Sequence, residues 1–257
     1  MNPPLRISSR SNSLLQRLSR LVQDPAAYRR VGQVWLEGDH LCRALRARGW
    51  VAAQAVVSEA AWDVPALRDL AGWASKVVVV PGPLFAAFSA LESPAGIGFV
   101  IGLPAASAIT PDVPSLVLDR VQDPGNVGSI LRSAAAFGVG QVLALRGTAA
   151  LWSPKVLRAG MGAHFALQLV EGLHESELDA LSVPLLATSS HQGDYLHQAA
   201  LPWPCAWALG HEGQGVSTTL LSRCALQLRI AQPGGEESLN VAAAAAVCLY
   251  ESRRGAQ

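Results

Sequence analysis

The sequence predicts an α/β protein of two domains, the second built on a mainly parallel sheet. Short apolar runs of strand length alternate with helix-length amphipathic patterns along the 257 residues. A proline-rich stretch without periodicity, residues 103–114, interrupts that alternation and marks a linker. Half of the residues are hydrophobic, enough to fill two cores without help from a metal or a disulfide. The division expected is therefore 1–103, a linker at 104–114, and 115–257.

The first helix is predicted from Leu14, Leu15, Leu18, Leu21 and Val22, which recur at helical spacing and leave Arg17 and Arg20 on the opposite, polar face. Apolar runs at 34–37, 52–57, 76–80 and 97–103 then read as strands. The helix-length patterns between them, at 41–48, 66–74 and 84–91, complete a small α/β domain.

Beyond the linker, strands are expected at 115–121, 141–145, 184–188, 205–209 and 225–230, separated by helical segments. Strands and helices alternating in this way form a mainly parallel sheet with helices on both faces. The alanine-rich run 241–250 is about half the length of a membrane span and is bracketed by Asn240 and Glu251, so it reads as a buried helix. No leader with an apolar core opens the sequence, and the expectation is a soluble, cytoplasmic protein without a membrane partner.

Three clusters of glycine and polar residues follow strands of the second domain. In LDRVQDPGNVGSILR a strand gives way to a Pro-Gly turn and a helix opening near Asn126, at the sheet edge where ligands of open α/β folds bind. Arg132 lies six residues further on, about 600° of helical rotation, so spacing alone does not put it on the face of Asn126. In WALGHEGQGVS, Gly210, Gly213 and Gly215 surround Glu212 and allow a ligand to approach the backbone. The lysine of a phosphate-binding loop is missing and the dinucleotide spacing is not met, which disfavours nucleotide triphosphates and nicotinamide cofactors. In LRIAQPGGEESLNVAAAAAVCLYE, Ser238 and Asn240 stand at the mouth of the alanine-rich helix, where either could be an ordinary cap.

Net charge is +1, but the average hides an asymmetry. Residues 1–50 carry nine arginines against three acidic residues, a net +6, and the remainder is −5. An arginine-rich segment is the electrostatic footprint of phosphate binding, with Arg10, Arg17 and Arg20 as candidates for contact with a nucleic-acid backbone, although a solvated basic helix has the same composition. The four cysteines are scattered with no C-x-x-C pair and read as small core residues. His191, His197 and His211 show no metal-ligand spacing, so zinc chemistry is unsupported and no metal is expected.

Taken together, N-x-G-x-x-x-R, then G-x-E-x-x-G, then I-x-x-P-x-x-x-E-S-L-N-V-A, in this order, resemble the SpoU (TrmH-like) class of SPOUT RNA methyltransferases over about residues 115–253. The N-terminal half is similar, more weakly, to the L30e-like substrate-binding domain of many rRNA-directed members. The resemblance implies a deep trefoil knot in the second domain, which the general rule against knots would have excluded. It implies S-adenosylmethionine as methyl donor, with Gly210, Ile230, Leu239 and, less directly, Thr188 in contact with it. It further implies a catalytic set of Asn126, Arg132, Ser238 and Asn240, with Glu212 ordering the loop or touching RNA, and a homodimer through the last helix.

The activity so implied is methyl transfer to a ribose 2'-hydroxyl of RNA, 23S rRNA before tRNA. A non-enzymatic RNA-binding protein and a base-directed methyltransferase are the competing readings. None of the candidate residues is an evident base, and a guanidinium is effectively always protonated. Arg132 is therefore expected to position an RNA phosphate and stabilise the developing alkoxide, while Ser238 and Asn240 orient the hydroxyl.

Overall fold

A computed structural model describes residues 3–189, 193–235 and 238–255. The chain divides into two compact units, residues 1–105 with 152–165, and 106–151 with 166–257. The contiguous division expected from the sequence did not include this return of 152–165 to the first unit.

The first unit begins with β1 (Leu5–Arg6) and α1 (Ser13–Gln23), whose start is set by Asn12 accepting a hydrogen bond from Leu14 N. Leu14, Leu15, Leu18 and Leu21 form its buried stripe. There follow α2 (Ala27–Val31), β2 (Gln33–Glu37), α3 (Asp39–Ala47), β3 (Gln54–Ser58), α4 (Glu59–Trp62), α5 (Pro65–Ala71), β4 (Val77–Val80), α6 (Gly82–Ala86) and β5 (Ile97–Gly102). The strands form one mixed sheet in the order β1-β4-β3-β5-β2, parallel from β1 to β3 and antiparallel where β5 inserts between β3 and β2.

The second unit contributes β6 (Ser115–Asp119), α7 (Pro124–Ala136) and β7 (Gln141–Leu145). After β7 the chain leaves for α8 (Pro154–Gly160), which belongs to the first unit, and returns at β8 (Gln168–Leu173). It then forms β9 (Leu185–Thr188), β10 (Asp194–Tyr195), β11 (Ala206–Gly210), α9 (Thr218–Leu221), β12 (Leu226–Arg229) and α10 (Val241–Gly255). All seven strands are parallel, in the order β10-β12-β9-β11-β6-β7-β8.

Strands β6, β7 and β11 are buried along their whole length, as a sheet covered on both faces requires. One face carries Val117, Leu143, Ala187, Ala206 and Ala208, with Leu178 and Leu220 packed among them. Trp207 is fully buried in a central strand, and its indole N–H donates to Ser252 Oγ of α10 at 2.9 Å. The tail of the linker is pinned to this unit by Gln141, which accepts from Thr110 N at 3.0 Å and donates to Thr110 O at 2.6 Å.

The alanine-rich helix, expected to be buried, is buried along one side. Only Ala245, Cys248, Leu249 and Ser252 of α10 are buried, the side that packs on α7 and β11. Ala243, Val247 and Tyr250 lie on the opposite, exposed side, Val247 at 41% and Tyr250 at 56% exposure. Cys42, Cys205 and Cys248 are buried, and burial pushes their thiols up, that of Cys205 to about 11, so they remain neutral packing groups. Among the described residues, no helix is long and apolar enough to cross a membrane.

Candidate active site

The parallel register brings the carboxyl ends of four adjacent strands to one edge of the second unit. Gly210 at the end of β11 pairs with Asp119 at the end of β6, and Thr188 at the end of β9 pairs with Leu228 of β12. The strand order turns around here, since β7 and β8 extend to one side of β6 while β11, β9 and β12 lie on the other. Such a switch point is where an open α/β sheet leaves a crevice.

A cavity of about 540 Å³ opens at this edge, within the range of small-molecule sites. Its walls are the turn from Gly210 to Val216, the strand ends Thr188–Ser189 and Ile230, and the segment from Ser238 to Val241. All four residues assigned to donor contact, Thr188, Gly210, Ile230 and Leu239, line it, together with Ser238, Asn240 and Glu212. The lining combines apolar Val216, Leu221, Ile230 and Leu239 with the hydroxyls of Thr188, Ser189 and Ser238, a set that fits a ligand with both a flat ring and polar groups. Gly210 must be glycine, because a methyl group there would overlap the backbone of Gly215 and Val216.

A chain of hydrogen bonds joins the three motifs. Glu212 accepts from Gln122 N at 3.1 Å, Asp123 N at 3.0 Å and Asn126 Nδ2 at 3.1 Å. Asn126 Oδ1 in turn accepts from Asn240 Nδ2 at 2.9 Å. Asn240 Oδ1 caps α10, accepting from Ala242 N at 2.9 Å and Ala243 N at 3.2 Å. Partial burial works against ionisation of Glu212, but the donors from Asn126, Asp123 and Gln122 outweigh it and hold its pKa at about 2. These bonds tie the glycine turn to the segment 122–126.

The helix opening near Asn126 begins at Pro124, and its cap is Asp123, whose carboxylate accepts from Asn126 N at 2.8 Å. Asn126 is thus free of capping duty and faces Asn240. Ser238 is exposed at the cavity wall, while Glu237 of its motif and His191 lie outside the described residues. Arg132 is not brought into the cluster: it is exposed on α7, does not line the cavity, and has no hydrogen-bond or ion-pair partner among the described residues.

In the first unit the basic excess is partly neutralised. Arg6, Arg30, Arg43 and Arg46 pair with Glu59, Asp24, Asp39 and Asp69. Arg10 and Arg20 are exposed and unpaired among the described residues, whereas Arg17 is half-buried with an unpartnered Nε. No group of three or more metal-ligating side chains occurs among the described residues.

Sequence reasoning missed Asp119, Arg120 and Gln214, which surround the glycine turn. Their only sequence signal is position, an Asp-Arg pair at a strand's carboxyl end and a polar residue within the turn.

Residues 114–250 match the SpoU rRNA methylase family. An uncharacterized tRNA/rRNA methyltransferase of Synechocystis is 33% identical over 96% of this chain and 93% of its own length. The 23S rRNA (guanosine(2553)-2'-O)-methyltransferase RlmP of Bacillus subtilis is 35% identical over 66% of this chain and 69% of its own. Among solved structures, an RNA 2'-O ribose methyltransferase is 30% identical and covers 98% of this chain and 99% of its own, with a TM-score of 0.81. An AdoMet-bound rRNA methyltransferase from Sinorhizobium meliloti is 25% identical over 97% of both chains, with a TM-score of 0.82. With the match spanning the strands, turns and helix that build the cavity, this chain belongs to the SpoU rRNA methylase family.

Proposed function

We propose that the protein transfers a methyl group from S-adenosylmethionine to a ribose 2'-hydroxyl of RNA, with 23S rRNA as its target, in the cytoplasm. The observation that carries this reading is the junction of the Glu212–Asn126–Asn240 chain with the cavity, since Glu212 and Asn240 belong to both. S-adenosylmethionine supplies a methyl group already activated by its sulfonium. What the chain adds is alignment, worth up to ~7–11 kcal/mol by effective-molarity arguments. Asn240, fixed by α10 on one side and Asn126 on the other, and Ser238 beside it border the cavity and orient the hydroxyl.

Arg132 is the permanently charged cation for an RNA phosphate and for the developing alkoxide, and the proton leaves through water or a phosphate oxygen. Arg10, Arg17 and Arg20 of the first unit hold RNA, and relatives that act on 23S rRNA support that target. A homodimer forms through the exposed side of α10. Tyr250 of that side rests on Phe137 at the end of α7, ring centroids 6.1 Å apart, so the pairing surface extends towards the helix that bears Arg132.

The test is transfer of labelled methyl from S-adenosylmethionine to total and undermodified RNA by wild type and Asn240→Ala, followed by nuclease and alkali. Label in alkali-resistant dinucleotides of large-subunit rRNA, lost in the variant, is the expected result. RNA binding without transfer to any fraction would overturn the reading, and label in tRNA would move the target.

A further inference from the structure

The glycine turn of the cavity is held from outside as well as by Glu212. Asp119 is 1% exposed at the end of β6. Its carboxylate accepts from Arg120 Nε at 2.9 Å and Nη2 at 3.4 Å, and from Ser217 N at 2.6 Å, just past the turn. The same guanidinium donates from Nη1 to Gln214 Oε1 at 3.2 Å, within the turn.

Arg120 adopts a left-handed φ of +60°, rare for a residue with a side chain and kept only where the surroundings over-determine it. Room for its stem comes from Gly147, where a methyl group would lie 3.1 Å from Arg120 Cγ. The turn itself is closed by His211 N to Gly215 O at 3.0 Å and Gly215 N to His211 O at 2.8 Å. The turn is thus closed on itself, and Gln214, through Arg120, and Ser217 both lead back to the same buried carboxylate.

We infer that Asp119, Arg120 and Gln214 form a clamp that sets the position of the Gly210–Gly215 wall and thereby the affinity for the methyl donor. The inference rests on the donor reading of the cavity. Asp119 and Arg120 do not line that cavity, so they are positioning residues that act through the turn. An arginine is suited to this because its planar fork reaches Asp119 and Gln214 together, which a point-charge ammonium cannot do.

The experiment compares wild type, Arg120→Lys, Gln214→Ala and the double variant. Initial rates are measured against S-adenosylmethionine concentration at fixed rRNA, with calorimetric binding of S-adenosylmethionine and melting temperature alongside. Arg120→Lys keeps a cation beside the buried Asp119, so the fold is retained while the link to Gln214 is cut. Each single variant is expected to raise KM for the donor about tenfold, the loss of one charge-assisted hydrogen bond, with the larger share of the effect in KM than in kcat. The double variant is expected to be no worse than the weaker single.

A wild-type KM in Arg120→Lys, increases that multiply in the double variant, or a lowered melting temperature with unchanged KM would each overturn the clamp. Wild type that binds no S-adenosylmethionine would sink the donor reading and the clamp with it, whereas tight wild-type binding with unaffected variants sinks the clamp alone.

Discussion

Glu212 offers both carboxylate oxygens to N–H donors of the β6–α7 connection, and the two sides of the site meet at this one residue. In Glu212→Gln one oxygen becomes an NH₂ that faces donors instead of accepting from them, so the connection loosens. We expect a lower melting temperature at pH 7 and a loss of methyl transfer of tenfold or more, read by thermal denaturation and by the labelled-methyl assay. The folded-state pKa of the carboxyl lies below its ordinary value of 4.5, at about 2. Its contribution to stability is therefore present above pH 4.5 and disappears as pH falls towards 2. The gap in melting temperature between wild type and Glu212→Gln should accordingly narrow over that window, and a gap independent of pH would contradict the assignment. Gly210→Ala tests the neighbouring wall: the new methyl overlaps backbone that cannot yield cheaply, and donor binding should vanish from calorimetry.

At the scale of elements, α10 begins on a side chain with two duties. Asn240 Oδ1 caps the helix and Nδ2 donates to Asn126. Asn240→Ala removes both and should cost about 1 kcal/mol of stability along with activity. Asn240→Asp keeps an acceptor for the cap and places a negative charge at a helix N-terminus, where it is favoured, but it loses the donor. Its stability should stay within about 0.5 kcal/mol of wild type, while methyl transfer falls as far as in the alanine variant. An active Asn240→Asp enzyme would show that the Asn240–Asn126 bond is dispensable. The two strands of the second unit absent from the sequence reading, β8 and β10, sit at the two edges of the seven-stranded sheet. Edge strands need no continuous apolar run, and QLVEGL, with Glu171 and Gly172, and the two-residue β10 have none.

At the scale of the whole molecule, the returning segment 152–165 decides what can be cut. Trp152 and Phe165 lie tilted against Trp50, ring centroids 6.4 and 5.4 Å apart, inside the first unit. A fragment starting at residue 106 keeps this segment and loses its partners, so it should bind a hydrophobic dye that the full chain ignores. A fragment as dye-silent as the full chain would mean that the segment packs elsewhere. The proposed homodimer uses the exposed side of α10. Val247→Glu with Tyr250→Glu should turn a sedimenting dimer into a monomer, and a wild-type monomer at micromolar concentration would remove the proposed homodimer.

By itself the sequence determined the fold class and the central strands, and the motifs it displays include Gly210, Glu212, Ser238 and Asn240, which line the cavity. Strands buried on both faces are largely apolar, and a ligand edge in an α/β sheet falls where glycines and polar residues follow such runs, as they do after β6 and β11. Nothing local in the sequence signals a knot, and that expectation rests on the resemblance alone. Tertiary structure alone decided that Asn126, Glu212 and Asn240, separated by 86 and 114 positions, share hydrogen bonds. It likewise decided that Arg132 shares none of these bonds, that one side of α10 is exposed, and that Arg120 bonds to a turn 94 residues away. Each of these depends on which strands lie side by side, and in a parallel sheet neighbours are set by crossovers through other elements, so spacing along the chain does not encode them.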